Sequence, residues 1–154
     1  MKDRGNERPA GTGPLRNAEQ RRAADAMAAV TQLEADDDLR KRYRAYADRL
    51  GPSILMNGLG QALASERASA GTAPKKPDER AHHRLYKNLE AWLCRAGGVY
   101  EPIAGQRTDL LGALVGGSEA LYVRALTEAL AWLIWHKKFC RAYLPASENQ
   151  DGEH

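Results

Sequence analysis

Residues 50–64 read LGPSILMNGLGQALA: Gly51-Pro52 stands before an apolar run, and Gly58 and Gly60 sit one residue apart inside it. Three readings compete: a phosphate-cradling loop, a break between helices, or a helix that needs bare backbone on one side. A phosphate loop requires a strand feeding a helix, with a third glycine at GxGxxG spacing or a following GK[ST]. The stretch has none of these. As a helix, Ile54, Leu55, Leu59, Ala62 and Leu63 give an apolar face of the right period. Each interior glycine costs a helix about 0.5–1 kcal/mol relative to alanine, so close approach of another helix or another subunit is expected to offset it. Asn57 and Gln61, one turn apart, can hydrogen-bond across such a contact. The stretch therefore predicts a helix-contact surface built from Asn57, Gly58, Gly60 and Gln61.

Helical period extends outward from it in both directions, with no sustained strand alternation. Asn17 and Gln20 have capping-box spacing at the start of a helix over 18–34. Asp36, Asp37 and Asp38 suit the positive end of a second helix over 38–49, where Leu39, Tyr43, Tyr46 and Leu50 share one face. Gly51 fits a stop and Pro52 a first helical position, which predicts a third helix over 52–67. After a loop at 69–77, Asp78 can cap a fourth helix carrying Leu85, Tyr86, Leu89, Trp92 and Leu93, and Gly97-Gly98 ends it. A short helix over 109–115 follows Thr108, and Ser118 caps a long last one reaching 144. Its apolar residues point in nearly every direction, which makes it the central helix. The expected fold is all-α: a compact bundle of five or six helices over 17–144, with a flexible arm at 1–16 and a disordered acidic tail at 145–154.

A chain of 154 residues with 43% hydrophobic and 28% charged residues has the makeup of one globular domain. The formal charge of +3 does not by itself argue for a polyanionic partner. Cys94 and Cys140 form no CxxC pair, the N-terminal stretch has no signal-like apolar region, and ALAWLIW at 129–135 is too short for a bilayer. A cytoplasmic location and no membrane contact are expected.

Three blocks carry a resemblance: YRAYADR (43–49) running into NGLGQALA (57–64), LYKNLEAWL (85–93), and EALAWLIWHKKFCRAYL (128–144). In that order and spacing the chain resembles the small α-helical subunit of the type III-B CRISPR (Cmr) effector complex. It departs from the pattern at His136, where leucine is expected. The resemblance implies a non-catalytic protein in antiviral defence whose copies stack into a short filament lining the groove for guide and target RNA. Implied partners are the repeated backbone subunit, the large polymerase-like subunit, copies of the chain itself, and both RNAs.

Site chemistry points the same way. His136 and Cys140 lie one turn apart, but a zinc site needs two further ligands, and only Cys94 or the His82-His83 pair could supply them. The plainer reading is a buried thiol at Cys94 and histidines on helix surfaces; no metal and no cofactor are expected. The acids read as caps or lone surface residues, and no nucleophile motif or carboxylate cluster suggests catalysis.

Cations are more informative. Residues 39–49 hold five cations against one anion, and 75–95 hold six against three. On counts alone these are ordinary solvated helix faces. The resemblance turns them into candidates for sequence-independent contact with RNA backbone: Arg40, Lys41, Arg44, Lys75, Lys76, Arg80, Arg84, Lys87, Lys137, Lys138 and Arg141. Without that resemblance, the alternative is a free-standing helical adaptor that binds a protein partner through its glycine-rich helix.

Overall fold

Helix boundaries follow from the side chains that can satisfy free N–H groups. The computed structural model describes residues 16–104, 106 and 108–146. Apart from Arg16, Pro145 and Ala146, the expected arm and tail lie outside the described residues. Asn17 and Gln20 close a reciprocal capping box at 2.7 and 3.0 Å and start α1 (Ala18–Thr31). Asp36 accepts from the N–H groups of Asp38 and Leu39 and starts α2 (Asp37–Asn57). Helix α3 (Leu59–Ala70) follows after a single residue. Ser118 caps α6 (Glu119–Tyr143) by accepting from Leu121.

One cap falls elsewhere than expected. Helix α4 (Pro77–Leu93) begins with Pro77 at its first position, and Glu79 accepts from the Lys76 N–H, so Asp78 lies inside the first turn and is not the cap. Asp109, read as a capping acid, does cap α5 (Leu110–Gly116), accepting from Gly112.

The largest departure is at the opening stretch. Helix α2 does not stop at Gly51 but runs through Pro52 to Asn57. Leu50 and Ile54 are both buried, one on each side of the proline, so packing on both sides outweighs the missing N–H. The chain breaks instead at Gly58, whose φ of 87° and ψ of 158° occupy a region open essentially to glycine alone. Gly58 and Gly60 therefore do not share one helix. They lie beside a tyrosine of the same chain: the Gly60 N–H donates to the Tyr122 hydroxyl at 3.0 Å.

Helix α2 is the element on which the two halves meet. It packs against α4 and α6 and touches α3; α1 lies on α6, α3 on α4, and α5 on α3. The α4 stripe is buried as its periodicity predicts, with Leu85, Leu89 and Leu93 fully enclosed. Helix α6 contacts α1, α2 and α4, yet Val123, Ile134 and Tyr143 on its outer side stay exposed.

His136 is not on a surface. It is completely buried, stacked on Trp132 with ring centroids 4.1 Å apart. Its Nδ1–H donates to the Ala26 carbonyl at 3.0 Å, which leaves Nε2 to accept from the Tyr43 hydroxyl. Asn88 donates to that same hydroxyl at 2.9 Å. One imidazole thus joins α6 to α1 and α2, and through Tyr43 to α4. The polar group is accepted in the core because each of its nitrogens has a partner. Both cysteines are buried thiols, and burial pushes Cys94 to about 11 and Cys140 to about 12.

Two stability predictions arise here. Gly58→Ala forces a side chain into glycine-only backbone and should cost about 1–3 kcal/mol in denaturant unfolding. A Cβ at Gly60 meets the Tyr122 hydroxyl at an ordinary 3.5 Å, so Gly60→Ala should be neutral or stabilise by up to about 1 kcal/mol. Equal losses at the two positions would contradict this account of the break.

Burial lowers the His136 pKa to about 4, with the bond to Ala26 acting in the opposite direction. Above pH 6.5 the imidazole is neutral in both states. As pH falls from 6.5 toward 4, only the unfolded chain takes up the proton, so about 3 kcal/mol of stability is lost in that window. Stability curves of wild type and His136→Leu should therefore converge as pH falls; parallel curves would show that the imidazole does not govern the acid limb.

Candidate nucleic-acid interface

The structure sorts the eleven predicted cations into two regions. Around the start of α4, Arg80 is held on three sides. It reaches Glu34 at 2.7 Å and Asp36 at 2.8 Å, and its Nε donates to the Lys75 carbonyl at 3.2 Å. The Arg80 hydrogen bond keeps the Asp36 carboxyl below its usual range, so the cap of α2 is also an ion-pair partner. Arg84 approaches Glu34 at 3.8 Å, and Lys87 pairs with Glu90 at 3.0 Å. Arg40 closes the α1–α2 turn by donating to the carbonyls of Glu34 and Leu33. Lys75 and Lys76 are exposed, with no acidic partner among the described residues.

The second region lies where α2 passes the end of α6. Arg141 meets Asp48 at 3.2 Å. Arg44 donates to the Leu144 carbonyl at 3.1 Å, satisfying the last turn of α6. Lys41, Lys137 and Lys138 have no acidic partner among the described residues. Arg95 sits over Trp92 with its guanidinium carbon 3.3 Å from the ring centroid, and burial depresses its pKa. Beside it, Arg22 grips Glu128 through two bonds at 2.7 and 3.0 Å, and that contact lowers the Glu128 pKa. Of the residues proposed for subunit contact, Asn57 and Gln61 are exposed at the α2–α3 break, while Gly58 and Gly60 lie half-covered beside Tyr122.

One polar cluster has no signature in the sequence. Tyr46 stacks on His82 at 3.8 Å with an interplanar angle of 11°, Arg49 lies 5.0 Å from the Tyr46 ring centroid, and His82 Nδ1 meets Glu66 at 2.6 Å. With Ser53 these residues line a cleft of about 490 Å³ between α2, α3 and α4. They come from three helices, so no local spacing announces them. A second groove, of about 540 Å³, runs between α3 and α4 past Arg67, His83, Tyr86 and Lys87. Burial, followed by the charges of Lys87 and Arg84, lowers the His83 pKa there. Among the described residues no group of three His, Cys, Asp or Glu side chains converges on a metal position. No helix among them is long and apolar enough to cross a membrane.

Fold and surface together define a small all-α protein whose distinguishing features are cationic helix faces. The family model described as CRISPR-associated protein (Cas_Cmr5) matches residues 18–143. The chain belongs to that family, the small subunit of type III-B CRISPR (Cmr) complexes.

The two kinds of cation should separate in a melting experiment. Arg80→Ala releases Glu34 and Asp36 and should lower the Tm, whereas Lys75→Ala/Lys76→Ala should leave it unchanged. A Tm unaffected by Arg80→Ala would mean that its ion pairs carry no structural weight.

Proposed function

We propose that this chain is a non-catalytic, cytoplasmic building block of its complex, stacking with copies of itself and touching guide and target RNA through its two basic regions. The observation that carries this reading is the pair of dilysine sites, Lys75-Lys76 and Lys137-Lys138. Their charges are unspent on acids among the described residues, whereas Arg80, Arg84, Lys87 and Arg141 are already engaged. A strongly hydrated ammonium on a flexible stem suits contact with phosphate without base readout. Lys41, Arg40 and Arg44 border the same regions and complete the proposed contact set with the four paired residues. Asn57 and Gln61, exposed on either side of Gly58 and Gly60, support the α2–α3 corner as the subunit contact. Weak binding by each copy becomes useful in an array, since linked sites raise effective concentration.

If one protomer neutralises about four phosphates of single-stranded RNA, log affinity against log salt carries a slope near −3 from that protomer. Reversing Lys75, Lys76, Lys137 and Lys138 to glutamate in the reconstituted complex should weaken RNA binding and remove most of that slope. Unchanged affinity and slope would take these lysines out of the RNA path.

A further inference from the structure

The larger of the two polar clefts carries charge of a single sign. The α3–α4 groove of about 540 Å³ is lined by Arg67 from α3 and by His83 and Lys87 from α4, and no carboxylate lines it. Arg67 and Lys87 both lie against the buried Tyr86 ring, 5.4 and 6.0 Å from its centroid, so one aromatic side chain holds cations from both walls. Three acids stand nearby, each committed to a main-chain N–H: Asp109 to Gly112, Glu90 to Leu110 and Glu79 to Lys76. Asp109 meets Arg67 at 2.6 Å and Glu90 meets Lys87 at 3.0 Å. Those contacts occupy one guanidinium nitrogen and one ammonium hydrogen, and both cations keep further donors. Thr72 and Pro74 line the same groove, and Lys75-Lys76 follows directly in the chain.

We propose that the α3–α4 groove seats a phosphodiester of the RNA strand that passes Lys75 and Lys76, with Arg67, His83 and Lys87 as its donors. The inference rests on the RNA reading above and adds a bound position to it, since Arg67 and His83 lie outside the contact set drawn there. The sign of the lining charge selects an anion, and continuity with the dilysine loop selects the strand placed on that loop. Cations held against one ring before binding lose little freedom when a phosphate arrives. His83 gives the site a second property. Burial and the charges of Lys87, Arg84 and Arg67 favour its neutral form, and Glu90 favours the protonated one. Asp109, beyond Arg67, stands on the side of Glu90, while the neighbouring His82 lines the other cleft with Glu66. A phosphate in the groove tips this balance, so binding draws a proton onto the imidazole. The free groove holds His83 below its ordinary pKa of about 6.5, so RNA affinity rises as pH falls from about 7.5 to 6.

The test uses the complex reconstituted with its remaining subunits and RNA. Ala68 lines the groove at an exposed position on α3, so Ala68→Glu places an acid there while circular dichroism and the melting curve should match wild type. RNA affinity should fall about tenfold, and the loss should shrink at high salt. Wild-type affinity should rise about threefold from pH 7.5 to 6, and His83→Gln should match wild type at the upper pH without that rise. Independently, a photo-crosslinking amino acid in place of Ala64, which also lines the groove, should capture RNA. Wild-type affinity in Ala68→Glu overturns the proposal; so does a crosslink from position 64 to a protein subunit. A pH response that persists in His83→Gln removes His83 from the site. RNA loss on charge reversal at Lys75 and Lys76, with Ala68→Glu harmless, refutes the groove and leaves the RNA reading standing. Binding indifferent to Ala68→Glu and to reversal of all four lysines refutes both.

Discussion

The buried contact between His136 and Tyr43 is the constraint around which the bundle is arranged. Helix–helix packing by leucines is tolerant: an apolar stripe can slide or rotate by part of a turn at small cost. An imidazole with both nitrogens committed cannot. The Ala26 carbonyl fixes where α1 crosses α6, and the Tyr43 hydroxyl fixes where α2 does. Asn88 then fixes α4 against α2 through the same oxygen. Shifting any of the four elements leaves a buried polar atom unpaired, at about 1–3 kcal/mol each. The leucines supply most of the burial; this relay sets a single register.

That register decides which cations remain available. With α4 placed against the α1–α2 turn, Arg80 falls between Glu34 and Asp36 and becomes a clamp. With α2 placed against the end of α6, Arg44 and Arg141 are drawn into the seam by Leu144 and Asp48. The arginines therefore tend to hold helices together, while several lysines on the loop before α4 and at the end of α6 keep their charge for solvent or a partner. Planar guanidinium groups suit fixed bidentate contacts, and compact ammonium groups suit mobile ones.

Much of this was legible in the chain. The all-α class, the capping box at Asn17, the Ser118 cap and the α4 stripe of Leu85, Leu89 and Leu93 are written in local spacing. The break at Gly58 was not, because Gly51-Pro52 is the stronger local stop. Only the burial of Leu50 and Ile54 on opposite sides of it carries α2 past the proline. The core position of His136 was hidden for a related reason. A histidine at helical spacing reads as polar until its partners, Ala26 and Tyr43, arrive from residues 110 and 93 positions away. Basic residues were easy to count, but which of them would be neutralised depended on Glu34, Asp36 and Asp48 across helix boundaries. The cleft of Tyr46, His82 and Glu66 left no trace in spacing.

Continuation of α2 through Pro52 carries one more effect. Proline has no N–H to return to the Asp48 carbonyl, and its ring crowds that oxygen. A main-chain acceptor is therefore released from the helical ladder beside an otherwise greasy seam, where water can serve it. Any surface that closes over the seam and expels that water must bring a donor of its own or leave the oxygen dry. A single ring closure in the backbone thereby sets a polar demand at one point of an apolar seam.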